Sequence, residues 1–398
     1  MAKSPKDKIR LLTFTTLFPN SIQSRHGIFV EHRLRQLLQS GKVETRVLAP
    51  IPWFPLKHRF FGSYAQMAQV PQQEIRHGQV IYHPRYLSIP KIGMSLAPYF
   101  LANRAIKVIK YWVKKGFDFD LIDAHYFYPD GVAAAMISQY FGKPFVVTAR
   151  GTDINLIPSF KRPRQQIIHT AGQASAMITV CAALKAEMLT MGIDGSKIRV
   201  LRNGVDLKFF RPANRVLQRE KLNIHGPSLL SVGHLTKRKG NEIIIAALPE
   251  LPKVALFIVG DGEERENLRQ QAHNIGVSHR VAFLGALTQQ ELCDYYGAVD
   301  ALVLASSREG WANVLLESMA CGTPVIASNV WGTPEVVSSA AAGVLMPERT
   351  PAGLVFAYHQ LMQNYPAHET TRQYAEQYGW ESTTQGQLDL FSEILKQN

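Results

Sequence analysis

The sequence predicts an α/β protein made of two successive doubly wound parallel sheets, and three observations carry that expectation. Short, nearly continuous apolar runs alternate with helix-like patterns along the chain, as strands covered on both faces require. The runs form two series separated by Asn203 to Pro212, a turn-rich stretch with Asn-Gly and a proline that suits a hinge. A length of 398 residues exceeds what a single core accommodates.

The first series reads Ile9 to Leu17 as a strand, Gly27 to Ser40 as a helix and Val43 to Ala49 as the next strand. Leu121 to Ala124, Phe145 to Ala149, Ala176 to Val180 and Ile198 to Leu201 continue it, with Gly131 to Phe141 among the intervening helices. Residues 51 to 100 break the pattern. Rich in Pro, aromatic and basic groups, they read as loops and short helices, either irregular packing at a core edge or a surface for an acceptor or a membrane. The second series runs through Ser228 to Gly233, Ala255 to Gly260, Val281 to Gly285, Ala301 to Ala305, Pro324 to Ala327 and Val344 to Met346. Ligands are expected at the carboxyl ends of such strands.

Hydrophobic residues at 46% and charged residues at 19% exclude a disordered or collagen-like polymer. Apolar stretches such as Gly131 to Ile137 are too short to span a bilayer, and the run after the basic N-terminus lacks a cleavage site and reads as a first strand. Cys181, Cys293 and Cys321 are isolated, without disulfide or zinc-ligand spacing, which fits a reducing cytoplasm. Residues 1 to 200 carry 27 basic and 11 acidic side chains, the remainder 17 and 20, a balance of +16 against −3. Such asymmetry turns one half toward a polyanion, either nucleic acid or acidic headgroups.

The most informative segment is Glu309-Gly-Trp-Ala-Asn-Val-Leu-Leu-Glu317. With a helix beginning near Asn313, Glu309 lies in the loop before it and Glu317 about one turn inside, among Val314, Leu315, Leu316 and Met319. A carboxylate so placed needs hydrogen bonds from a ligand or the protein, and sugar hydroxyls are suitable donors. The first-turn amides near Asn313 and Val314 are unsatisfied donors where a diphosphate binds well. In Gly233-His234-Leu-Thr-Lys237-Arg238-Lys239-Gly240, three cations crowd a strand-to-helix loop and suit phosphate oxygens, or simply a solvated loop. Val259-Gly260-Asp261-Gly262-Glu263 begins like a dinucleotide fingerprint, but Arg265 stands where the third glycine belongs, which argues against NAD. Asp118-Phe119-Asp120 has the form of a metal motif of nucleotide-sugar enzymes yet precedes a strand in a solvent-like turn. His125, Arg150 and Asp153 follow strand ends and can line one crevice mouth; for His125 a purely structural hydrogen-bonding role is the equal alternative.

Over most of its length the chain resembles the retaining glycosyltransferases of family 4, or group 1, through Glu309 to Glu317 with the following Ala-Cys-Gly-Thr-Pro-Val-Ile-Ala, the hinge-like Asn203-Gly204-Val205-Asp206 with Phe210, and the loop Gly233 to Gly240. The resemblance implies the GT-B fold, two Rossmann-like domains facing across a cleft: residues 1–205 binding the acceptor, with a helix at about 380–398 packing back on them, and 206–379 binding the nucleotide sugar. It further implies that Lys239 neutralises the donor diphosphate, Glu309 contacts sugar hydroxyls, Asn313 and Val314 offer backbone donors and Glu317 holds the ribose. Gly233, His234, Arg238 and Gly262 complete the donor site, and His26-Gly27 resembles a glycine loop that approaches the diphosphate. Two departures stand out. His234 replaces the family's usual arginine, and Arg150-Gly151-Thr152-Asp153 replaces a motif that begins with histidine, so the donor-sugar contact passes to Arg150 or His125.

The expectation is a retaining, metal-independent hexosyltransferase with no cofactor beyond the nucleotide-sugar co-substrate, its candidate catalytic residues being Lys239, Glu309, His125, Arg150 and Asp153. Its acceptor would be a lipid-linked or polysaccharide-precursor hydroxyl in cell-envelope synthesis. The +16 half would dock on the inner face of the cell membrane, with Trp53 to Phe61 at the interface. A nucleotide-sugar epimerase or hydrolase on the same architecture is the alternative. Nucleic-acid binding is disfavoured, because the basic groups are scattered and no recognition motif is present.

Overall fold

Leu11, Leu12 and Phe14 are wholly buried because β1 (Ile9–Phe14) lies in the middle of a sheet covered on both faces. The computed structural model describes residues 8–53, 67, 69–88 and 94–397. It divides into one unit running to Arg202 and resumed from Glu381, and a second spanning Asn203–Trp380.

In the first unit β1 is joined by β2 (Val43–Leu48), β4 (Gln73–Arg76), β5 (Gln79–Tyr82), β7 (Leu121–His125), β8 (Phe145–Ala149), β9 (Ala176–Thr179) and β10 (Ile198–Val200), in the order β10-β9-β8-β7-β1-β2-β5-β4. All neighbours are parallel except the β4–β5 hairpin, which turns through His77 and Gly78 at positive φ. A separate parallel pair joins β3 (Ile51–Trp53) to β6 (Arg85–Leu87). The described residues between 51 and 100 therefore correct the expectation of loops and short helices, for they hold four short strands and the start of the 18-residue helix Ala97–Lys114. From Phe54 to Phe61 the expected interfacial segment lies outside the described residues.

The first strand stops three residues short of the expected Leu17. Thr16 N–H donates to Asp130 Oδ2 at 2.6 Å, and the Thr15 and Thr16 hydroxyls bond the same carboxylate, so the chain leaves the sheet to hold Asp130. The helix Ile28–Gln39 then begins after Gly27, at φ 67. A Cβ at Gly27 would lie 2.3 Å from the Leu17 carbonyl carbon and oxygen, so this glycine is demanded by backbone packing within the unit. Gly27→Ala is expected to cost about 2 kcal/mol or more. An unchanged urea midpoint would show that the Leu17 backbone yields.

The helix Glu381–Gln397 belongs to this unit. Its Leu388, Phe391 and Ile394 pack with Leu11, Leu37, Leu121 and Val146. Gln387 accepts a 2.8 Å bond from Arg33 Nε, and the Thr383 hydroxyl donates to the Arg202 carbonyl.

The second unit is a six-stranded, wholly parallel sheet ordered β13-β12-β11-β14-β15-β16. Its strands are β11 (Ser228–Val232), β12 (Ala255–Val259), β13 (Val281–Gly285), β14 (Ala301–Leu304), β15 (Val325–Ser328) and β16 (Gly343–Met346). Leu229, Leu256, Ile258, Val303 and Ile326 form its core with Ile244, Leu354 and Leu361 from flanking helices.

Candidate active site

In the second unit β11 and β14 are neighbours at the point where the strand order reverses, so the loops after them diverge and leave a crevice at the carboxyl ends. Gly233 leaves β11 at φ 154, and a Cβ there would come within 3.0 Å of Lys239 Cε. The missing side chain is the room into which Lys239 folds back. Glu309 Oε1 accepts from Lys239 Nζ at 2.7 Å, from Ser306 Oγ at 2.7 Å and from Arg238 Nη1 at 3.2 Å. All three donors fall on one oxygen, which leaves Oε2 as an acceptor for something else. Burial by itself raises the Glu309 carboxyl; Lys239 and Arg238 outweigh it and hold the group below the usual range, ionised at neutral pH.

Of the three-cation run, Arg238 and Lys239 meet Glu309, while Lys237 faces solvent. His234 is two-thirds exposed and stands 3.6 Å from Glu263 Oε2. Gly262 presses on the Leu235 carbonyl, and Leu235 N–H donates to the Asp261 carbonyl at 3.0 Å, so the loop after β12 braces the Lys239 loop.

The helix Asn313–Ala320 follows Ala312, which has no side-chain oxygen to cap it, so the first-turn amides of Asn313 and Val314 receive no side-chain cap. Asn203 Nδ2 lies 3.4 Å from Asn313 Oδ1, and Trp311 Nε1 donates to the Asn203 carbonyl at 3.0 Å, fixing where the helix begins. One turn along, Glu317 is half-buried and accepts a 2.9 Å bond from the Tyr296 hydroxyl. Burial and the nearby Glu317 carboxylate push that phenol well above its ordinary pKa, so Tyr296 acts only as a donor.

In the first unit, Asp123 and His125 share a face of β7, and Arg150 follows β8 alongside. Arg150 Nη2 lies 2.8 Å from His125 Nδ1, and Asp123 Oδ2 lies 3.3 Å from Nε2. Arginine can only donate, so Nδ1 is the acceptor and the ring proton sits on Nε2, facing Asp123. Burial lowers the His125 pKa; Asp123 opposes that shift, and Arg150 and Arg33 reinforce it. The imidazole is therefore neutral, with both nitrogens engaged. Ring ¹⁵N shifts should report the Nε2–H tautomer and a titration midpoint below that of a free imidazole, whereas a raised midpoint would contradict this geometry. The linkage has a fixed sign. A depressed histidine contributes stability that is complete above its unfolded pKa of about 6.5 and is lost as pH falls below it.

Asp153 is fully buried and accepts the backbone N–H groups of Phe127 at 2.7 Å, Gly151 at 2.8 Å and Arg150 at 3.0 Å, which shapes the loop presenting Arg150. Burial pushes Asp130 up to about 7 despite its bonds to Thr15 and Thr16. Asp118 and Asp120 lie apart from these clusters. They pair with Arg10 and Lys143, and Asp120 accepts the Arg10 N–H at 3.0 Å.

Sequence reasoning missed Tyr296, Ser306, Asp123 and Asp130. Tyr296 lies in a plain helix and is brought to Glu317 only by helix packing. Asp123 carries a readable signal, two residues before His125 on one strand face. The cysteines read as isolated are all free and buried, and the Cys293 thiol donates to the Phe209 carbonyl.

Two family models cover most of the chain: "Glycosyltransferase Family 4" matches residues 29–209, and "Glycosyl transferases group 1" matches residues 214–378. A Bacillus subtilis glycosyltransferase assigned to teichuronic acid biosynthesis is 28% identical over 355 residues, 86% of this chain and 87% of that protein. The sucrose-phosphate synthase of Thermosynechococcus elongatus superposes with a TM-score of 0.80 at 20% identity, over 98% of this chain and all of that one. Anabaena HepE, solved in complex with UDP-glucose, superposes with a TM-score of 0.71 at 20% identity, over 98% of this chain and 99% of that one.

Proposed function

The chain belongs to the group 1, family 4 glycosyltransferases and has their GT-B fold, and on that premise we propose that it is a retaining, metal-independent hexosyltransferase using a nucleotide diphosphate sugar. The observation that carries this reading is the convergence, at one strand-order reversal, of Lys239, an ionised Glu309 with a free Oε2 and an uncapped helix start one turn before Glu317. Lys239 and the amides of Asn313 and Val314 meet the diphosphate. Oε2 of Glu309 accepts from sugar hydroxyls, and Glu317, steadied by Tyr296, accepts from the ribose. Gly233 and Gly262 let the backbone come close, and His234 is a solvent-side phosphate partner, with Arg238 holding Glu309 in place.

Catalysis on this reading is positional and electrostatic. The bond from the anomeric carbon to the diphosphate breaks, the diphosphate takes the electron pair, and the acceptor hydroxyl attacks the same face. A phosphate oxygen of the leaving group takes the acceptor proton. His125, neutral and engaged at both nitrogens, is not the base; it and Asp153 position Arg150.

The acceptor is a lipid-linked or polysaccharide-precursor hydroxyl, a reading supported by the relative assigned to teichuronic acid biosynthesis. Work at the cytoplasmic face of an anionic membrane is supported by the +16 balance of residues 1 to 200. Among the described residues no helix is long and apolar enough to cross a membrane. Thermal melts with UDP, GDP, ADP and their sugars test the donor half, since a ligand at 100 times its dissociation constant adds about 2.7 kcal/mol. No shift with any nucleotide diphosphate would refute it. The anomeric proton coupling of the first product tests retention.

A further inference from the structure

No acidic residue occurs between Glu74 and Asp118, and none between Asp153 and Glu187. These two stretches supply the helices Ala97–Lys114 and Lys161–Gln173 of the first unit. The first helix buries Leu101, Ala105, Ile109 and Trp112 and exposes the opposite stripe of Arg104, Lys107, Lys110, Tyr111 and Lys114. Just before it, the turn Met94–Leu96 exposes Met94 at 37% and Leu96 at 51%, and Tyr99 follows at 47%. Gln166 Nε2 donates to the Ser95 carbonyl at 3.3 Å, which sets the second helix beside this turn. That helix starts with Phe160, 51% exposed, and the exposed cations Lys161, Arg162 and Arg164.

We propose that this face, the turn Met94–Leu96 with the two helices that flank it, is the surface by which the first unit docks on an anionic lipid bilayer. The inference rests on the membrane reading given above and deepens it. Cations without a neighbouring carboxylate attract any polyanion. Leu96, Tyr99 and Phe160, set out among those cations, gain free energy only where apolar surface leaves water, and a bilayer interface offers both at once. Tyr99 and Tyr111 add the amphipathic rings that settle at headgroup level. The contact is reversible and weakens with salt, because screening reaches every exposed charge in it.

Flotation with phosphatidylcholine vesicles, with and without phosphatidylglycerol, at low and high salt, tests the assignment. The wild-type chain is expected to float with the anionic vesicles at low salt alone. Reversing three charges, Lys107→Glu with Lys110→Glu and Lys114→Glu, should lower partitioning by about a hundredfold through the three cations lost, and further through the three anions gained. Leu96→Ser with Phe160→Ser should lower it about tenfold. Both variants should keep the wild-type melting temperature, which shows that they fold. If both float like the wild type, another face does the docking. If charge reversal abolishes binding while the serine pair has no effect, the face meets the headgroups by charge alone and the interfacial role of Leu96 and Phe160 is wrong. If the wild type fails to float at low salt, the membrane reading falls with this one, and the nucleotide melts still judge the donor site by themselves.

Discussion

Lys239→Ala is expected to cut the transfer rate constant at saturating donor by about a hundred- to a thousandfold, the usual loss when one fixed charge or donor facing a developing anion is removed. Negative charge grows on the diphosphate as the glycosidic bond breaks, so the ammonium gains most at the transition state, and donor affinity should fall much less. The substitution has a second consequence. Lys239 is the largest influence opposing burial at Glu309, and without it Arg238 and Ser306 alone remain on Oε1. The Glu309 carboxyl then rises, and the residual activity should be lost at a higher pH on acidification than in the wild type. Lys239→Arg should restore little, because the space left by Gly233 holds a slender side chain whose Cε lies 3.0 Å from a Cβ built there. Pre-steady-state and steady-state kinetics across pH decide this; a normal rate constant for the alanine variant would make the cation a packing element.

Glu317→Gln is expected to weaken the donor nucleotide by roughly 1.5 to 3 kcal/mol, about ten- to a hundredfold in dissociation constant, because a charge-assisted acceptor for the ribose hydroxyls becomes a neutral amide. The amide oxygen can still take the Tyr296 hydroxyl bond, now 2.9 Å, so the fold should survive. Titration calorimetry with the nucleotide diphosphate that wins the melting screen reads the effect. Equal affinity in a folded variant would remove Glu317 from the ribose site.

Apart from those within residues 51 to 100, the strands of both sheets were legible because buried parallel strands are written as nearly continuous apolar runs: Phe145, Val146 and Val147, or Leu302, Val303 and Leu304, have no polar face to disguise them. The helix Ala97–Lys114 was not legible for the complementary reason. Its stripe of Tyr and Lys among Ile, Val and Trp reads as aromatic-basic irregularity until the buried side is known. At the proposed donor site Glu309, Lys239 and Glu317 sit in contiguous motifs, which made them legible, while their roles came from the family resemblance. The meeting of Glu309 with Ser306, Arg238 and Lys239 on a single oxygen, and of Tyr296 with Glu317, comes from tertiary packing that no local pattern encodes. At His125 the sequence offered two equal readings. The partners Arg150 and Asp123 decide its protonation, and the second of them had drawn no notice.

The return of Glu381–Gln397 to the first unit makes the second unit an insertion within it. During synthesis Asn203–Trp380 is contiguous and can close its sheet as soon as it has left the ribosome. The first unit cannot. Leu11, Leu37 and Arg33 wait for Leu388, Phe391 and Gln387, the most distant partners in its core, until the residues from Glu381 on have been made. The unit that begins first is therefore completed last, and its uncovered apolar face is the interval in which a chaperone would find this chain.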